Sequence, residues 1–223
     1  VSRGKNLLIT FDDAWVLHTH MRMTGSWHLY RPGGRWWKPA HRARVALEVA
    51  DAVAVCFDAP VVLLMRPARA LRTPTLATLG PDFLAADFDE DDALARLRAE
   101  ADAPLGVAIL LQRVAAGVGN IWKSETLFVC RADPFAPVSA YDDDELRAIL
   151  RKARELLRAS VVSSTTLGAP VVAPRVYLRS GRPCRTCGTA IAMRRQGDQG
   201  RSTYYCPRCQ RPRAKALASD GGT

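Results

Sequence analysis

Apolar and polar positions alternate with a period of two over much of residues 1–76, which is typical of antiparallel strands with one buried face. Residues 7–11 and Trp15–His20 flank the polar pair Asp12 and Asp13 and predict a hairpin. Ser26–Tyr30 predicts a third strand. Two more strands show the same alternation, at Val45, Leu47 and Val49 and at Val53, Val55 and Phe57. This part of the chain is therefore predicted to be rich in β-strands.

From about residue 80 to 160 the apolar spacing changes to that of helices. Acidic runs at residues 89–92 and 142–145 predict helix starts, because the helix dipole favours negative charge in the first turn. We interpret both runs as caps with solvated charge and give them no catalytic role. The second run opens a long helix with an apolar stripe at Leu146, Ile149, Leu150, Ala153, Leu157 and Ser160.

The composition fits a folded chain with a polyanionic partner. The 223 residues include 32 Lys and Arg against 22 Asp and Glu, a formal net charge of +10, and 48% are hydrophobic. No apolar run reaches the ~20 residues of a membrane-spanning helix. The excess positive charge favours nucleic acid as partner, with an acidic membrane surface as second choice.

Four of the six cysteines form two close pairs, which together predict one metal site. They are Cys184, Cys187, Cys206 and Cys209, with eighteen residues between the pairs. Each C-x2-C turn aims two thiolates at one ion, and Gly188 permits the positive φ that such turns need. Four thiolates favour a structural zinc ion. Two disulfides or an iron centre are the alternatives.

Positive charge is concentrated around these cysteines. Eleven basic residues lie between about 175 and 215 against one acid, Asp198: Arg175, Arg179, Arg182, Arg185, Arg194, Arg195, Arg201, Arg208, Arg211, Arg213 and Lys215. So lopsided a balance favours contact with phosphates over a merely solvated surface.

A glycine-rich loop precedes a helix predicted over residues 123–130. Gly117 and Gly119 would let a phosphate approach the backbone, and Asn120 is expected to cap the helix, whose first N–H groups point outward as an anion site. A plain connector between helices is the alternative. The basic charge of the chain favours the phosphate site.

Four blocks of sequence occur in a recognisable order: residues 3–8, residues 20–25 (His-Met-Arg-Met-Thr-Gly), residues 79–82 with 116–121, and the four-cysteine unit with residues 201–206. Together they resemble the formamidopyrimidine-DNA glycosylase and endonuclease VIII family of base-excision repair enzymes. The second block is more similar to the endonuclease VIII branch.

The resemblance implies a multidomain α+β fold with a partial N-terminal β-sandwich, a helix–two-turns–helix domain and a C-terminal four-cysteine zinc finger. The implied parts are the C-terminal part of a catalytic β-sandwich domain, a DNA-binding domain, the finger and a flexible tail, at residues 1–76, 77–168, 169–215 and 216–223. One structural Zn²⁺ and damaged DNA as partner are also implied. We expect a monomer without membrane attachment, in the bacterial cytoplasm on the nucleoid.

The activity implied by the resemblance is that of a bifunctional DNA glycosylase and abasic-site lyase. Lys5 matches a lysine that contacts phosphate and assists catalysis. Met23 matches the side chain that fills the gap left by a flipped nucleotide, although its residue type alone also fits core packing. His20 and Asn120 match phosphate-contacting positions, and Arg201 matches the arginine of the finger.

The sequence departs from the family at three places, one of which is the gap of eighteen residues between the cysteine pairs, slightly longer than expected. The family nucleophile is an N-terminal proline followed by a glutamate, whereas this chain begins at Val1. We therefore expect an N-terminally incomplete chain, inactive as printed, from an active parent enzyme. Residues 58–61 (Asp-Ala-Pro-Val) replace the Asp-Pro-Arg-Arg-Phe-Gly loop of the oxoguanine branch, so oxidised pyrimidines are the expected substrates.

Two alternatives to this activity remain. One is a non-catalytic, zinc-dependent remnant or paralogue that binds damaged DNA. The other makes Lys5 itself the amine that attacks the abasic sugar, which desolvation of its ammonium group would allow.

Overall fold

The structure is a computed structural model that describes residues 1–12, 14–167 and 173–213. Two compact units divide the chain, Val1–Thr78 and Leu79–Thr223. Asp13 of the predicted turn, Lys215 and the predicted tail lie outside the described residues. Within the ranges described, no helix has the length and apolar character needed to cross a bilayer.

The first unit contains two antiparallel sheets. Its strands are β1 (Ser2–Arg3), β2 (Asn6–Phe11), β3 (Trp15–His20), β4 (Ser26–Tyr30), β5 (Ala43–Glu48), β6 (Val53–Phe57) and β7 (Val61–Met65). One sheet has the order β1-β2-β3-β7 and the other β4-β6-β5. The predicted hairpin is confirmed, since β2 and β3 pair in register from Asn6 opposite His20 to Phe11 opposite Trp15.

Alternating apolar residues build the core of the smaller sheet. Val55 and Phe57 on the central strand β6 are fully buried, and β6 pairs with β5 as the period-two pattern predicts. Trp27 on β4 donates its indole N–H to the Thr19 hydroxyl on β3 at 3.2 Å, which joins the two sheets. The first unit is therefore the predicted β-sandwich.

The end of the first unit differs from the expected β-rich pattern. Strand β7, which the sequence analysis did not predict, is followed by two short helices, α1 (Pro67–Leu71) and α2 (Pro74–Ala77). Each begins with proline. Proline is pre-set for the first helical position, because its fixed φ suits the helix and its missing N–H would be unpaired there.

The second unit is built mainly from helices between residues 90 and 167. Its helices are α3 (Glu90–Arg98), α4 (Leu105–Ala108), α5 (Asn120–Val129) and α6 (Asp143–Leu167). Asp89 caps α3 by accepting the Asp92 N–H at 2.9 Å. Asp142 and Glu145 form a reciprocal box at the start of α6, at 2.8 and 3.0 Å. Both acidic runs are thus caps, as predicted.

The stripe on α6 faces a single core. Leu146 and Leu150 are fully buried there with Leu127 of α5, and Phe83 stacks on Phe88 at 5.0 Å between ring centres. The helices are separated by irregular chain instead of forming one continuous helical region. A final hairpin of β8 (Ala192–Gln196) and β9 (Arg201–Tyr205) packs against α5.

Glu125 on α5 ties the helical core to the chain that enters the finger. The residue is only 3% exposed, and its carboxylate accepts the backbone N–H groups of Arg175, Val176 and Tyr177 at 2.9, 3.0 and 2.9 Å. A buried carboxylate is costly unless it is hydrogen-bonded, and three donors satisfy this one.

We expect Glu125→Gln to lower the free energy of unfolding by about 3 kcal/mol, because a neutral amide accepts fewer of the three buried N–H bonds. Urea denaturation measures the change. Glu155→Gln on the exposed face of α6 is the matched control and should have little effect. Equal losses in both variants would show that the buried carboxylate is not the cause.

Candidate metal centre and nucleic-acid interface

The two cysteine pairs converge on one point. All four sulfur atoms lie within 4.8 Å of one another. Cys184 Sγ is 3.9 Å from Cys209 Sγ, and Cys187 Sγ is 3.4 Å from Cys206 Sγ. A tetrahedral zinc ion with Zn–S bonds of ~2.3 Å separates its sulfur ligands by about 3.8 Å. The donor set therefore fits one structural Zn²⁺, as predicted, rather than two separate disulfides.

Local backbone bonds shape both cysteine turns. Gly188 has φ +76°, and its N–H donates to the Cys184 carbonyl at 2.9 Å, which closes the first turn. In the second turn the Cys206 N–H donates to the Gln210 side-chain oxygen at 3.0 Å. Gln210 also donates to the Ala132 carbonyl beyond α5 at 2.8 Å, so one buried amide anchors the metal centre to the helical core.

The metal replaces a hydrophobic core in the finger. The apolar cluster there is small: Phe128, Val176 and Ile191 pack with two of the cysteines. So few large apolar side chains cannot hold the hairpin by themselves, and the free energy of metal binding stabilises the fold.

Chelation should therefore unfold the finger selectively. We expect one zinc ion per chain by elemental analysis, and loss of amide protection in β8 and β9 but not in β4–β6 when a chelator removes it. Cys206→Ser should lose the metal. Cys130→Ser, outside the four-sulfur cluster, should keep it. Retained protection after complete zinc removal would contradict the structural role.

Lys5 and His20 lie side by side in the first unit. Lys5 occupies the turn between β1 and β2, and the next residue, Asn6, pairs with His20. The pKa of His20 is lowered by burial and then by the positive charges of Lys5 and Arg22. The imidazole Nδ1 accepts the Arg22 N–H at 3.1 Å, so the neutral ring carries its proton on Nε2 as a donor.

Asn6 holds the turn that presents Lys5. Its amide donates to the Arg3 carbonyl at 3.1 Å, and its oxygen meets His18 Nε2 at 2.9 Å. His18 is buried, and burial lowers its pKa, with a smaller effect from His20. The Asn6–His18 pair is therefore a neutral, internal support for the exposed turn.

Met23 projects from a closed loop. The Gly25 N–H donates to the Met21 carbonyl at 2.8 Å, and the Thr24 hydroxyl donates to the Asp58 carbonyl at 3.1 Å. Met23 itself is 83% exposed. Core packing, the alternative for this methionine, is therefore wrong.

Asn120 does not cap α5, contrary to expectation. Gly119 is the N-cap, and its carbonyl accepts the Lys123 N–H at 2.8 Å, so the helix begins three residues earlier than predicted. Asn120 then occupies the first helical position, where its side chain makes no capping bond. Its Oδ1 is buried and has no hydrogen-bond partner among the described residues.

Gln112 shapes the loop before α5, and the sequence analysis did not identify this role. Its amide nitrogen donates to the carbonyls of Leu110 and Val118 at 2.9 and 3.1 Å, and its oxygen accepts the Gly117 N–H at 3.0 Å. Gly117 has φ +119°, which a side chain would rarely adopt. A single polar side chain inside the loop thus determines its path.

Arg201 begins β9 and is exposed at the hairpin. Its guanidinium donates to the Gln199 side-chain oxygen at 3.0 and 2.7 Å. Beside it, the fully buried Lys123 donates to the Ser202 carbonyl at 3.0 Å and the Thr203 hydroxyl at 2.7 Å. The hairpin is therefore attached to the first turn of α5, next to the loop before the helix.

Lys123 gives this attachment a pH dependence. Burial, and to a lesser extent the charge of Arg201, lowers its pKa from 10.5 to about 8. The folded state therefore loses this proton before the unfolded chain does. The free-energy cost of burying the charged ammonium therefore has its full value below about pH 8. This cost disappears as the pH rises towards the pKa of lysine in the unfolded chain.

We expect the free energy of unfolding of the unsubstituted protein, relative to that of Lys123→Met, to increase between about pH 7 and about pH 9.5. Urea denaturation of both proteins at the two pH values measures the difference. Arg158→Met removes an exposed guanidinium on α6 instead of a buried ammonium and serves as the control. An unchanged difference for Lys123→Met would contradict the lowered pKa.

Three protein families match successive parts of this chain. Residues 79–169 match the "Formamidopyrimidine-DNA glycosylase H2TH domain", residues 1–60 its "N-terminal domain", and residues 181–212 the "Zinc finger found in FPG and IleRS". The "Probable endonuclease 8 2" of Streptomyces coelicolor is 41% identical over 214 residues, which cover 93% of this chain and 76% of the relative. The chain belongs to the formamidopyrimidine-DNA glycosylase and endonuclease VIII family.

Further relatives agree with this family of DNA-repair glycosylases. The "DNA-(apurinic or apyrimidinic site) lyase Nei2" of Mycolicibacterium smegmatis is 39% identical over 94% of this chain and 81% of its own length. A solved complex of Lactococcus lactis Fpg with DNA containing an AP site matches with TM-score 0.78 at 23% identity, over 95% of this chain and 80% of that one. MutM bound to DNA containing carbocyclic 8-oxo-G matches with TM-score 0.79, also at 23% identity, over the same shares. At this identity the likeness establishes the fold.

Proposed function

We propose that this family member acts as a bifunctional DNA glycosylase and abasic-site lyase that removes oxidised bases, with pyrimidines preferred. The observation that carries the proposal is an exposed Met23, on a hydrogen-bonded loop that begins directly after His20, the residue whose ring lies beside Lys5. An apolar side chain that can enter a base stack thus occurs in the same unit as donors for the flanking phosphates.

Each proposed role follows from the local geometry. The Lys5 ammonium and the Nε2–H of neutral His20 would bind phosphate oxygens, and Met23 would occupy the space left by the flipped nucleotide. In the second unit, the first N–H groups of α5 have no intrahelical partners, and Asn120 and Arg201 flank them. Lys5 would also assist the chemistry at the abasic sugar as a nearby cation.

The preference for pyrimidines rests on residues 58–61. Asp58 is engaged by Lys38 at 3.0 Å and by Arg42 at 2.8 Å, and the next three residues are Ala, Pro and Val. The segment thus offers neither an arginine nor an aromatic side chain to the strand opposite the lesion. This supports a substrate class other than that of the oxoguanine branch.

The domain boundaries given by the sequence, the monomeric state and the location on the nucleoid stay predictions. The non-catalytic binder is the alternative that the following experiment separates from the enzyme.

Borohydride trapping on abasic-site DNA tests the lyase activity. We expect a covalent adduct with the full-length protein, because a Schiff base between protein and sugar is reducible. If the protein binds the DNA without forming an adduct, the alternative of a non-catalytic binder holds. A lesion panel with the same protein then tests the preference for oxidised pyrimidines.

A further inference from the structure

The loop between β4 and β5 combines aromatic and basic residues without any acid. Residues 30–44 contain the cations Arg31, Arg35, Lys38, Arg42 and Arg44 and the aromatic residues Tyr30, Trp36 and Trp37. Neither the predicted zinc finger nor the predicted phosphate sites include this segment. Basic residues interleaved with aromatic ones are typical of surfaces that bind single-stranded nucleic acid.

The two adjacent tryptophans have opposite environments. Trp36 packs edge-on against the fully buried Phe57 at 5.8 Å between ring centres and also lies beside Tyr30. Trp37 is 83% exposed and touches His28 only with a ring edge, at 5.4 Å. Trp36 therefore anchors the loop in the core, whereas the indole of Trp37 is exposed to solvent.

Hydrogen bonds order the backbone that carries the exposed indole. The backbone N–H of Trp37 donates to the Tyr30 hydroxyl at 3.2 Å. The neighbouring Lys38 ammonium donates to Ser26 Oγ and to Asp58 Oδ2, each at 3.0 Å. Residues 34–40 line a shallow concave surface that encloses a volume of about 540 Å³. Because the loop is already ordered, a ligand that stacks on Trp37 pays little conformational entropy.

The same aspartate supports both Trp37 and the loop of Met23. Asp58 holds Lys38 with its carboxylate and the Thr24 hydroxyl with its backbone carbonyl. Two large, exposed apolar side chains thus project from loops with a common anchor. Arg35 lines the same concave surface as Trp37, and Arg31 lies four residues before it in the loop. Among the described residues, neither arginine has a carboxylate within ion-pair distance.

We propose that Trp37 is a stacking platform for an unpaired DNA base, with Arg31 and Arg35 contacting the phosphates next to it. The proposal rests on the proposed function, because it extends the same DNA site beyond Met23. An indole face stacks on any base, and cations beside it bind the charged backbone. On this proposal, Trp37 in residues 30–44 provides the aromatic contact with DNA that residues 58–61 cannot provide.

Affinity for two DNA substrates tests the platform. One is a duplex with an abasic-site analogue inside an unpaired bubble, and the other is the same duplex fully paired except at the analogue. We expect Trp37→Ala to weaken bubble binding ~10-fold and to change paired-duplex binding less than ~3-fold, since stacking contributes per unpaired base. Trp37→Phe should retain most of the affinity. Leu29→Ala on β4, 79% exposed in the same unit, is the matched control and should change neither.

A fluorescent base analogue gives a direct readout. 2-Aminopurine in the bubble should be quenched when the parent protein or Trp37→Phe binds, and less so with Trp37→Ala. If the unsubstituted protein binds the DNA and Trp37→Ala shows equal bubble affinity and equal quenching, the stacking role of Trp37 is wrong, while the proposed function is unaffected. If the parent binds neither substrate, the proposed function falls with it. A loss by Trp37→Ala of binding to anionic lipid vesicles, but not to DNA, would assign the surface to a membrane instead.

Discussion

Two buried charged side chains on α5 hold the finger to the helical core. Lys123 donates to the hairpin that follows the first cysteine pair, and Glu125 accepts from the chain that precedes it. Both charges would be strongly destabilising without these bonds, so the docked position is the one in which each is satisfied. The exposed Arg201 and the loop before α5 owe their proximity to this attachment. The zinc ion stabilises the finger internally, but α5 determines where the finger sits.

In the first unit, too, polar side chains hold the backbone of exposed segments, one of them neutral (Asn6) and one charged (Asp58). Asn6 supports the turn of Lys5 from inside, and Asp58 supports the loops of Met23 and Trp37. In each case a buried or half-buried polar group fixes the backbone, and the side chain proposed to meet DNA is left exposed. A rigid support with a free side chain is suited to a ligand that must be bent or opened, because the protein need not be ordered at the same time.

Charge and apolar surface have separate tasks in this family member. The excess of cations supplies an attraction for DNA that does not depend on sequence. On our proposals, the exposed Met23 and Trp37 add contacts that are available only where bases are unstacked. Recognition of damage would then depend on how easily the duplex opens. The cations would provide non-specific binding to undamaged DNA.

The sequence by itself determined the features that depend on near neighbours. The cysteine turns, the acidic caps and the β2–β3 hairpin each form within a few residues, so spacing and residue type suffice to predict them. The family resemblance depends on such short blocks as well. The position of Asn120 shows where this local reasoning fails, because an extended Gly119 takes the cap that an asparagine normally prefers.

Only the tertiary structure decided the features that join distant parts of the chain. The bond from Lys123 to Thr203 spans 80 residues, and the bond from Glu125 to Val176 spans 51. Nothing in the pattern around a lysine or a glutamate shows that it will be buried beside a partner so far away. Likewise, two adjacent tryptophans look alike in the sequence, and packing on Phe57 is what sends one inward and leaves the other exposed. Burial and partner choice are properties of the assembled chain, because both depend on which surfaces meet after folding.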